Sequence, residues 1–440
     1  MESSDAVVAA LSAMRWDGVL RTDTAALTEA ADDFGHLVHT PPAAVLRPGS
    51  AADVAAALQA GKGFPVLARG MGHCNFGQSQ ADGGLVLDMS SHALVDSVDE
   101  NRVTVQAGAT WRSVVAATLP RGLVPPVLTD YLGLSVGGTL SVGGIGGTSH
   151  RYGLQTDTVL ALEVATADGE THTCAPGDDL WDAVLGGQGR HGVITGATIR
   201  LVAAPSMVRK HKIRHTNVAD LMAAQAALIQ DGRFDYVEGQ LLPVDGEWQY
   251  VLELAAHFDP ATPPDDTGLP ADRETEDLTY AEFADRLALS EAIFRSTGEW
   301  ELPHPWWNVF LPERSATGFV DRLVNGHTPD DVGASGLILV YPIFTAPLTT
   351  RAVPVPDSPV VYLVGILRTN VPDAVADAIE DNRRWYDEAR RAGGVGYQIG
   401  TISLTSDDWA AHFGDLWPTW QAWDVRYGVR NPSVVADHGD

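Results

Sequence analysis

Glycine is the residue type that first suggests chemistry in this chain. Gly133, Gly137, Gly138, Gly143, Gly144, Gly146 and Gly147 fall within one short segment. A second cluster runs Gly186-Gly187-Gln188-Gly189-Arg190-His191-Gly192, and a third lies in Arg69-Gly70-Met71-Gly72-His73. Without a Cβ, glycine lets backbone N–H groups close on a phosphate. One such cluster reads as a flexible turn. Three in one αβ half point to a cradle for a phosphate-rich cofactor. Two titratable side chains adjoin the glycines. His73 follows an expected strand beside Cys74 and is placed to contact a cofactor. Asp130 precedes the largest cluster, where it is either a turn carboxylate or, with a cofactor beside it, a base.

Two catalytic patterns match formally and are set aside. Gly187 to Gly192 fits G-x-G-x-x-G, which needs a strand before it and a helix after it. Here 179–185 reads as helix and Val193–Arg200 as strand, the reverse order. Gly133-Leu134-Ser135-Val136-Gly137 fits the nucleophile elbow of serine hydrolases, which leads into a helix. Residues 137–144 carry four glycines, at a cost of about 1 kcal/mol each in a helix, so no helix is expected there. A serine hydrolase is the outsider reading. His211 and His215 lie in an extended segment without a third ligand, and no metal is expected.

The elements that must position these residues alternate in the first half. Strands are expected at 44–48, 64–68, 84–88, Arg102–Gln106, Val159–Ala165 and Val193–Arg200. A helix capped by Ser50, with Asp53 three residues later, runs to Ala60. Pro205 reads as a boundary. Beyond it, 258–275 is a Pro/Asp/Gly-rich loop, helical patterns at 279–286 and 373–391 flank an aromatic, strand-like middle, and the last forty residues have Trp-rich helical spacing. With 440 residues the chain is expected to form two domains.

Charge and cysteine content exclude several classes. Lys plus Arg number 29 against 57 Asp plus Glu, a formal charge of −28. That balance disfavours nucleic acid and an anionic membrane surface as partners. Two cysteines cannot build a disulfide framework. The amino terminus is acidic where a secretory signal would be basic, and no run reaches the ~18 apolar residues of a membrane span. A soluble, cytoplasmic protein is expected.

Longer stretches resemble flavin-dependent oxidoreductases of the vanillyl-alcohol-oxidase type, and more narrowly cytokinin dehydrogenase. Residues 69–78 are similar to that family's G-R-G-H-S-x-x-G-Q segment. Thr129-Asp130-Tyr131-Leu132 and 134–141 are similar to T-D-Y-L-x-L-T-V-G-G-T-L-S, and 184–189 to V-L-G-G-x-G. Phe234-Asp235-Tyr236-Val237-Glu238-Gly239, 303–308, 339–342 and Trp409-Ala410-Ala411-His412-Phe413-Gly414 extend the likeness through the second half. The likeness spans about residues 40 to 430.

The resemblance implies an α+β, two-domain vanillyl-alcohol-oxidase-type fold. An FAD-binding domain would comprise 1–204 and 400–440, and an antiparallel-sheet substrate (cap) domain 205–399. It implies FAD attached covalently through His73. Further FAD contacts are implied from Ala68, Gly70, Met71, Gly72, Cys74, Gln78, Asp130, Ser135, Gly137, Gly138, Ser141, Gly144, Ile145, Val193 and Ile194. Asp130 would be the catalytic base, with a raised pKa beside an apolar substrate, and Trp306, Asn308 and Tyr341 would join it in the substrate pocket. The implied reaction is hydride transfer from a secondary amine, cleaving the side chain of isopentenyladenine to give adenine and an aldehyde. A biosynthetic flavin oxidase acting on another small apolar amine or alcohol is the alternative. Oxygen or a quinone would take the electrons, and a monomer or dimer is expected.

The chain departs from the family pattern at several positions. Met71 replaces an arginine and Cys74 a serine. A glutamate ahead of F-D-Y-V-E-G falls on Ala226, Y-L-P-H reads Ile399-Gly400-Thr401-Ile402, and the terminal segment is shortened to 436–440. These differences bear on substrate identity more than on the class of reaction.

Overall fold

Ser50 caps the Ala51–Ala60 helix, accepting from the Asp53 N–H at 3.2 Å. The buried Asp53 carboxylate does something the cap pattern does not foretell. It accepts from the N–H groups of Asp17, Gly18 and Gly49 at 2.8–2.9 Å. It thereby fastens the approach to the Val19–Arg21 strand beside the end of Ala44–Arg47. A Cβ on Gly18 would stand 2.0 Å from the Arg47 carbonyl oxygen, so only glycine permits this approach.

The computed structural model describes residues 3–429. The strand–helix–strand unit from Ala44–Arg47 through Ala51–Ala60 to Val66–Arg69 builds a four-stranded sheet. Its order is Val19–Arg21, Ala44–Arg47, Leu85–Asp88, Val66–Arg69, with the last three parallel. A five-stranded antiparallel sheet follows, ordered Val95–Val98, Arg102–Gln106, Val193–Arg200, Val159–Ala165, Thr171–Cys174. Their buried faces share one core with Trp111, Val136 and Leu140.

Every strand of the third sheet lies between Met207 and Gly396. Its eight strands run Glu274–Thr279, Met207–His215, Glu247–Phe258, Tyr236–Val244, Leu337–Phe344, Val360–Leu367, Trp307–Pro312, Val395–Gly396. All its pairings are antiparallel. The chain is therefore mixed α and β, a half built on two smaller sheets followed by an antiparallel-sheet half. The carboxy-terminal helices Ser406–Phe413 and Trp417–Tyr427 return to the first half. Trp409, Phe413, Trp420 and Trp423 pack with Ala183, and Asp424 accepts from Arg190 at 2.7 Å and contacts His191 at 2.9 Å. Residues 436–440 lie outside the described residues.

Two expectations about secondary structure are corrected. Val136–Leu140 is a short helix despite its two glycines. The Ser135 hydroxyl accepts from the Gly138 N–H at 3.3 Å, Gly137 donates to the Ala107 carbonyl at 2.8 Å, and the Trp111 indole N–H reaches Thr139 at 2.9 Å. Tertiary bonds thus outweigh intrinsic propensity. The aromatic middle is not all strand. It holds helices Ala288–Thr297 and Glu313–Asn325. The second buries Ala316, Phe319, Val320, Leu323 and Val324 along one stripe, a helical period that the aromatic content obscured. Among the described residues no helix is long and apolar enough to cross a membrane.

Asp53→Ala strands three N–H donors and is expected to destabilise the protein by about 3 kcal/mol, read from urea unfolding. A loss below about 1 kcal/mol would contradict this role.

Candidate active site

Alternation along the Tyr236–Val244 strand sends Tyr236 and Glu238 to the same face. The antiparallel register sets Glu238 opposite Glu253. Two like charges directly across a ladder repel, and both side chains are almost fully buried. Arg286, just past the Tyr280–Ala284 helix, supplies the opposite charge. Its Nη2 lies 2.6 Å from Asp130 Oδ1 and 2.6 Å from the Tyr236 hydroxyl. Its Nε is 3.4 Å from Glu253 Oε1, and Nη2 is 4.0 Å from Glu238 Oε2. The guanidinium carbon sits 4.9 Å from the Tyr236 ring centroid and 4.6 Å from that of Phe283, and Nη1 donates to the Phe283 carbonyl at 3.2 Å. Rings hold its faces and oxygens its edges.

Asp130 reaches this cluster from the glycine-rich half. A Cβ on Gly146 would meet the Leu128 carbonyl oxygen at 1.9 Å, and one on Gly147 the Tyr236 ring at 2.3 Å. These two glycines therefore bring the Asp130 loop against the eight-stranded sheet, and Val237 donates to the Gly147 carbonyl at 3.1 Å. The Asp130 carboxylate accepts from Arg286, from the Tyr236 hydroxyl at 2.8 Å and from the Tyr341 hydroxyl. Asp130 is thus no solitary carboxyl in an apolar pocket, as its proposed setting implied. It is an ion-paired acceptor.

Tyr236 also meets Glu238 Oε2. One phenol has one proton, so it cannot donate to both Asp130 and an ionised Glu238. Burial, reinforced by the charges of Asp130 and Glu253 and opposed by Arg286, pushes the Glu238 carboxyl up to about 8. A protonated Glu238 donates to Tyr236, and Tyr236 donates to Asp130, which gives each of these three side chains a partner. Burial and the neighbouring carboxylates push the Tyr341 phenol up as well, so it stays a donor.

His73 lies among rings. Phe34 stacks on it at 4.0 Å, with Tyr131 at 5.1 Å, Trp300 at 5.9 Å and Trp306 at 6.2 Å between centroids. Desolvation by these neighbours, aided by His304, pushes its imidazole down to about 3, leaving it neutral. The preceding turn approaches the Ser135 cap, for a Cβ on Gly70 would stand 2.0 Å from Ser135 Oγ. The N–H groups of Gly70, Met71 and Gly72 donate to no acceptor among the described residues. Gly186 and Gln188 donate to the carbonyls of Leu140 and Ser141 at 2.9 and 2.8 Å. All three glycine clusters therefore gather at one place, and Gly189, at φ +69°, faces open space.

Trp306 is fixed by its indole N–H on the Arg368 carbonyl at 3.1 Å. Buried Asn308 leaves its Nδ2 without a partner among the described residues. Ile145 and Tyr341 share a core cluster with Tyr397, whose hydroxyl accepts from the Gly144 N–H at 3.1 Å. Ile399 packs on that same cluster, so a tyrosine stands two residues ahead of the position where one was lacking. Gln78 links the Phe76 N–H to the Gly400 carbonyl. Val193 and Ile194 are buried at the start of their strand, and Ala68 sits near the end of its own. Ser141 donates to the Gly137 carbonyl at 2.8 Å. Burial pushes the free Cys74 thiol up to about 11, which makes it unreactive. Ala226 lies half-buried in the Val218–Asp231 helix. His211 of the rejected metal pair bonds Thr275 and Asp266. Ser135 is occupied as a helix cap and hydrogen-bonds no histidine among the described residues, which do not assemble a hydrolase constellation.

Sequence reasoning missed Arg286 and Glu253 and quoted Tyr236 and Glu238 only as parts of a motif. A charged residue inside the apolar run Val251-Leu252-Glu253-Leu254-Ala255 was the available signal. Arg286 offered none.

A family model for an FAD binding domain matches residues 42–175, and one described as cytokinin dehydrogenase 1, FAD and cytokinin binding, matches 269–433. The chain is 42% identical over 412 residues to an uncharacterized oxidoreductase, ORF5 in the fasciation locus, of Rhodococcoides fascians, covering 91% of this chain and 94% of that protein. It is 36% identical over 475 aligned positions to cytokinin dehydrogenase 4 of Oryza sativa subsp. japonica, covering 95% and 89% of the two chains. To cytokinin dehydrogenase 4 of Arabidopsis thaliana it is 33% identical over 457 positions, covering 90% and 87%.

A carboxyl raised from its ordinary 4.5 to about 8 stabilises the fold at low pH and loses that contribution as pH climbs across this interval. Glu238→Gln keeps the hydrogen bond without the proton. Its Tm relative to wild type is expected to improve steadily from pH about 5 to about 8 in thermal melts; a pH-independent difference would refute the assignment.

Proposed function

The chain belongs to the cytokinin dehydrogenase family and is an FAD-dependent oxidoreductase, and on that premise we propose that it oxidises a secondary amine of the cytokinin type. The single observation carrying this reading is the Asp130 carboxylate, held by Arg286, Tyr236 and Tyr341 at the junction of the glycine-rich half and the antiparallel sheet. The residues present fit FAD. Gly70, Met71 and Gly72 have unspent N–H groups and Gly189 opens on free space, so an anionic diphosphate can be met by backbone alone. That suits a chain with only three lysines, Lys62, Lys210 and Lys212.

Bound FAD would supply a two-electron acceptor for hydride. His73, neutral and enclosed by rings, has a ring nitrogen lone pair with which to hold the cofactor covalently. Two Asp130 lone pairs on Oδ1 are taken by Arg286 and Tyr236, and one on Oδ2 by Tyr341. The remaining acceptor position on Oδ2 accepts the amine N–H of the substrate and takes its proton as the adjacent C–H is oxidised. The substrate amine thereby becomes an imine. Water then adds, and isopentenyladenine would yield adenine and an aldehyde. Trp306 offers a flat face to a purine or an isoprenoid chain, and Asn308 Nδ2 offers a donor to a ring nitrogen. Small apolar substrates of this kind are neutral, so the acidic surface neither attracts nor repels them. Oxygen or a quinone would reoxidise the enzyme.

His73→Ala is expected to release FAD on acid denaturation while wild type retains it; flavin still bound to the denatured variant would remove His73 from this role. Asp130→Asn is expected to slow anaerobic bleaching by isopentenyladenine at least about 100-fold. Unchanged stopped-flow rates would eliminate Asp130 as the base. If other amines or alcohols bleach the wild type and isopentenyladenine does not, the substrate assignment fails while the class of reaction stands.

A further inference from the structure

The reading just given uses the buried guanidinium only as one of the hydrogen-bond partners of Asp130. We propose that Arg286 is a positioning residue for the proposed base: by bonding Asp130 and Tyr236 from one nitrogen, it fixes Asp130 as the ionised carboxylate and leaves the shared proton on Glu238. The inference rests on the reading of Asp130 as the base.

Three carboxylates converge here, and their partners differ. Asp130 receives a guanidinium N–H at 2.6 Å, whereas Glu238 stands 4.0 Å from the same nitrogen. Glu253 lies 3.4 Å from Nε and has Lys212 on its other side at 3.8 Å. The charge that stabilises an anion is therefore aimed at Asp130 and Glu253, and Glu238 is left as the member that holds a proton. The phenol of Tyr236 enforces the same order. It accepts from Arg286 at 2.6 Å and has a single proton, directed to Asp130 at 2.8 Å, so its contact with Glu238 must be one in which Glu238 donates.

Every group facing the guanidinium agrees with this arrangement. Tyr236 and Glu238 come from one strand, Glu253 from its neighbour, Phe283 from the preceding helix and Asp130 from the loop of the other half. Tyr341 and Lys212 stand behind Asp130 and Glu253 respectively. Burial alone would lower the Arg286 pKa, but the oxygens of Tyr236, Asp130, Glu253 and Glu238 around it together hold it well above the usual range. Its charge is permanent over the working pH of any enzyme.

The test compares Arg286→Lys with Arg286→Gln in the FAD-loaded protein. Anaerobic flavin reduction by isopentenyladenine is followed against pH, and Tm is followed against pH without substrate. Arg286→Gln is expected to slow reduction about 100-fold near neutrality, with the acid limb of the rate profile moved up by about one to three pH units. Arg286→Lys should retain most of the rate and the wild-type limb. Without the cation the carboxylates take up protons more readily, so the Tm gap between Lys and Gln variants should widen as pH rises from about 5 to about 8. Should Arg286→Gln fail to fold, Arg286→Gln combined with Glu253→Gln removes one cation and one anion together, and the same two readouts apply. An acid limb unmoved in the Gln variants, or a Tm gap constant with pH, overturns the proposal. Wild-type reduction preserved in Asp130→Asn overturns the base reading instead, and the two failures are told apart.

Discussion

A guanidinium enclosed between two rings and three carboxylates is the interaction on which the rest of the site depends. Glu238 and Glu253 face each other across neighbouring strands, an arrangement that repels unless a cation or a proton intervenes. Arg286 supplies the cation and Glu238 holds the proton. Remove either and the sheet is left with uncompensated charge in its interior. The same cluster gives Asp130 its orientation, because the loop that bears Asp130 has its carboxylate tied to the sheet by Arg286, Tyr236 and Tyr341. Fold stability and the proposed chemistry therefore rest on one set of hydrogen bonds.

The glycines divide into two roles by geometry. Gly70, Met71 and Gly72 leave N–H groups unspent among the described residues, and Gly189 faces open space, as the proposed diphosphate cradle requires. Gly146 and Gly147 do a different job. Their missing Cβ atoms make room for the Leu128 carbonyl and the Tyr236 ring, so they dock the two halves of the chain against each other. Density of glycine in the sequence therefore coincides with two uses of a missing Cβ: open backbone where a cofactor is proposed, and space for the sheet that carries the residues around Asp130.

Much of this was legible in the residues. Alternating strands and helices, the Ser50 cap and the strand at Val193–Arg200 follow from turn residues and periodicity, and the three glycine clusters do gather in one place. The Val136–Leu140 helix was not legible, because its stability comes from Ala107, Trp111 and the Ser135 cap rather than from its own glycines. The Glu313–Asn325 helix was hidden by its aromatic surroundings. Asp130 and His73 could be singled out from their place beside glycines. Arg286 could not, since nothing local distinguishes an arginine that follows a short helix, and its meaning comes only from strands brought alongside by the sheet register. A glutamate within an apolar strand, as at Glu253, was the one visible sign that a buried cation had to exist.

The central claim is that the cluster holds its proton on Glu238 and leaves Asp130 ionised. Infrared spectroscopy of the FAD-loaded protein at neutral pH reads this directly, through the carbonyl stretch of a protonated carboxylic acid. The account predicts such a band in wild type, absent from Glu238→Gln and retained in Asp130→Asn. A band that survives Glu238→Gln and vanishes in Asp130→Asn would place the proton on Asp130 and contradict its assignment as the base.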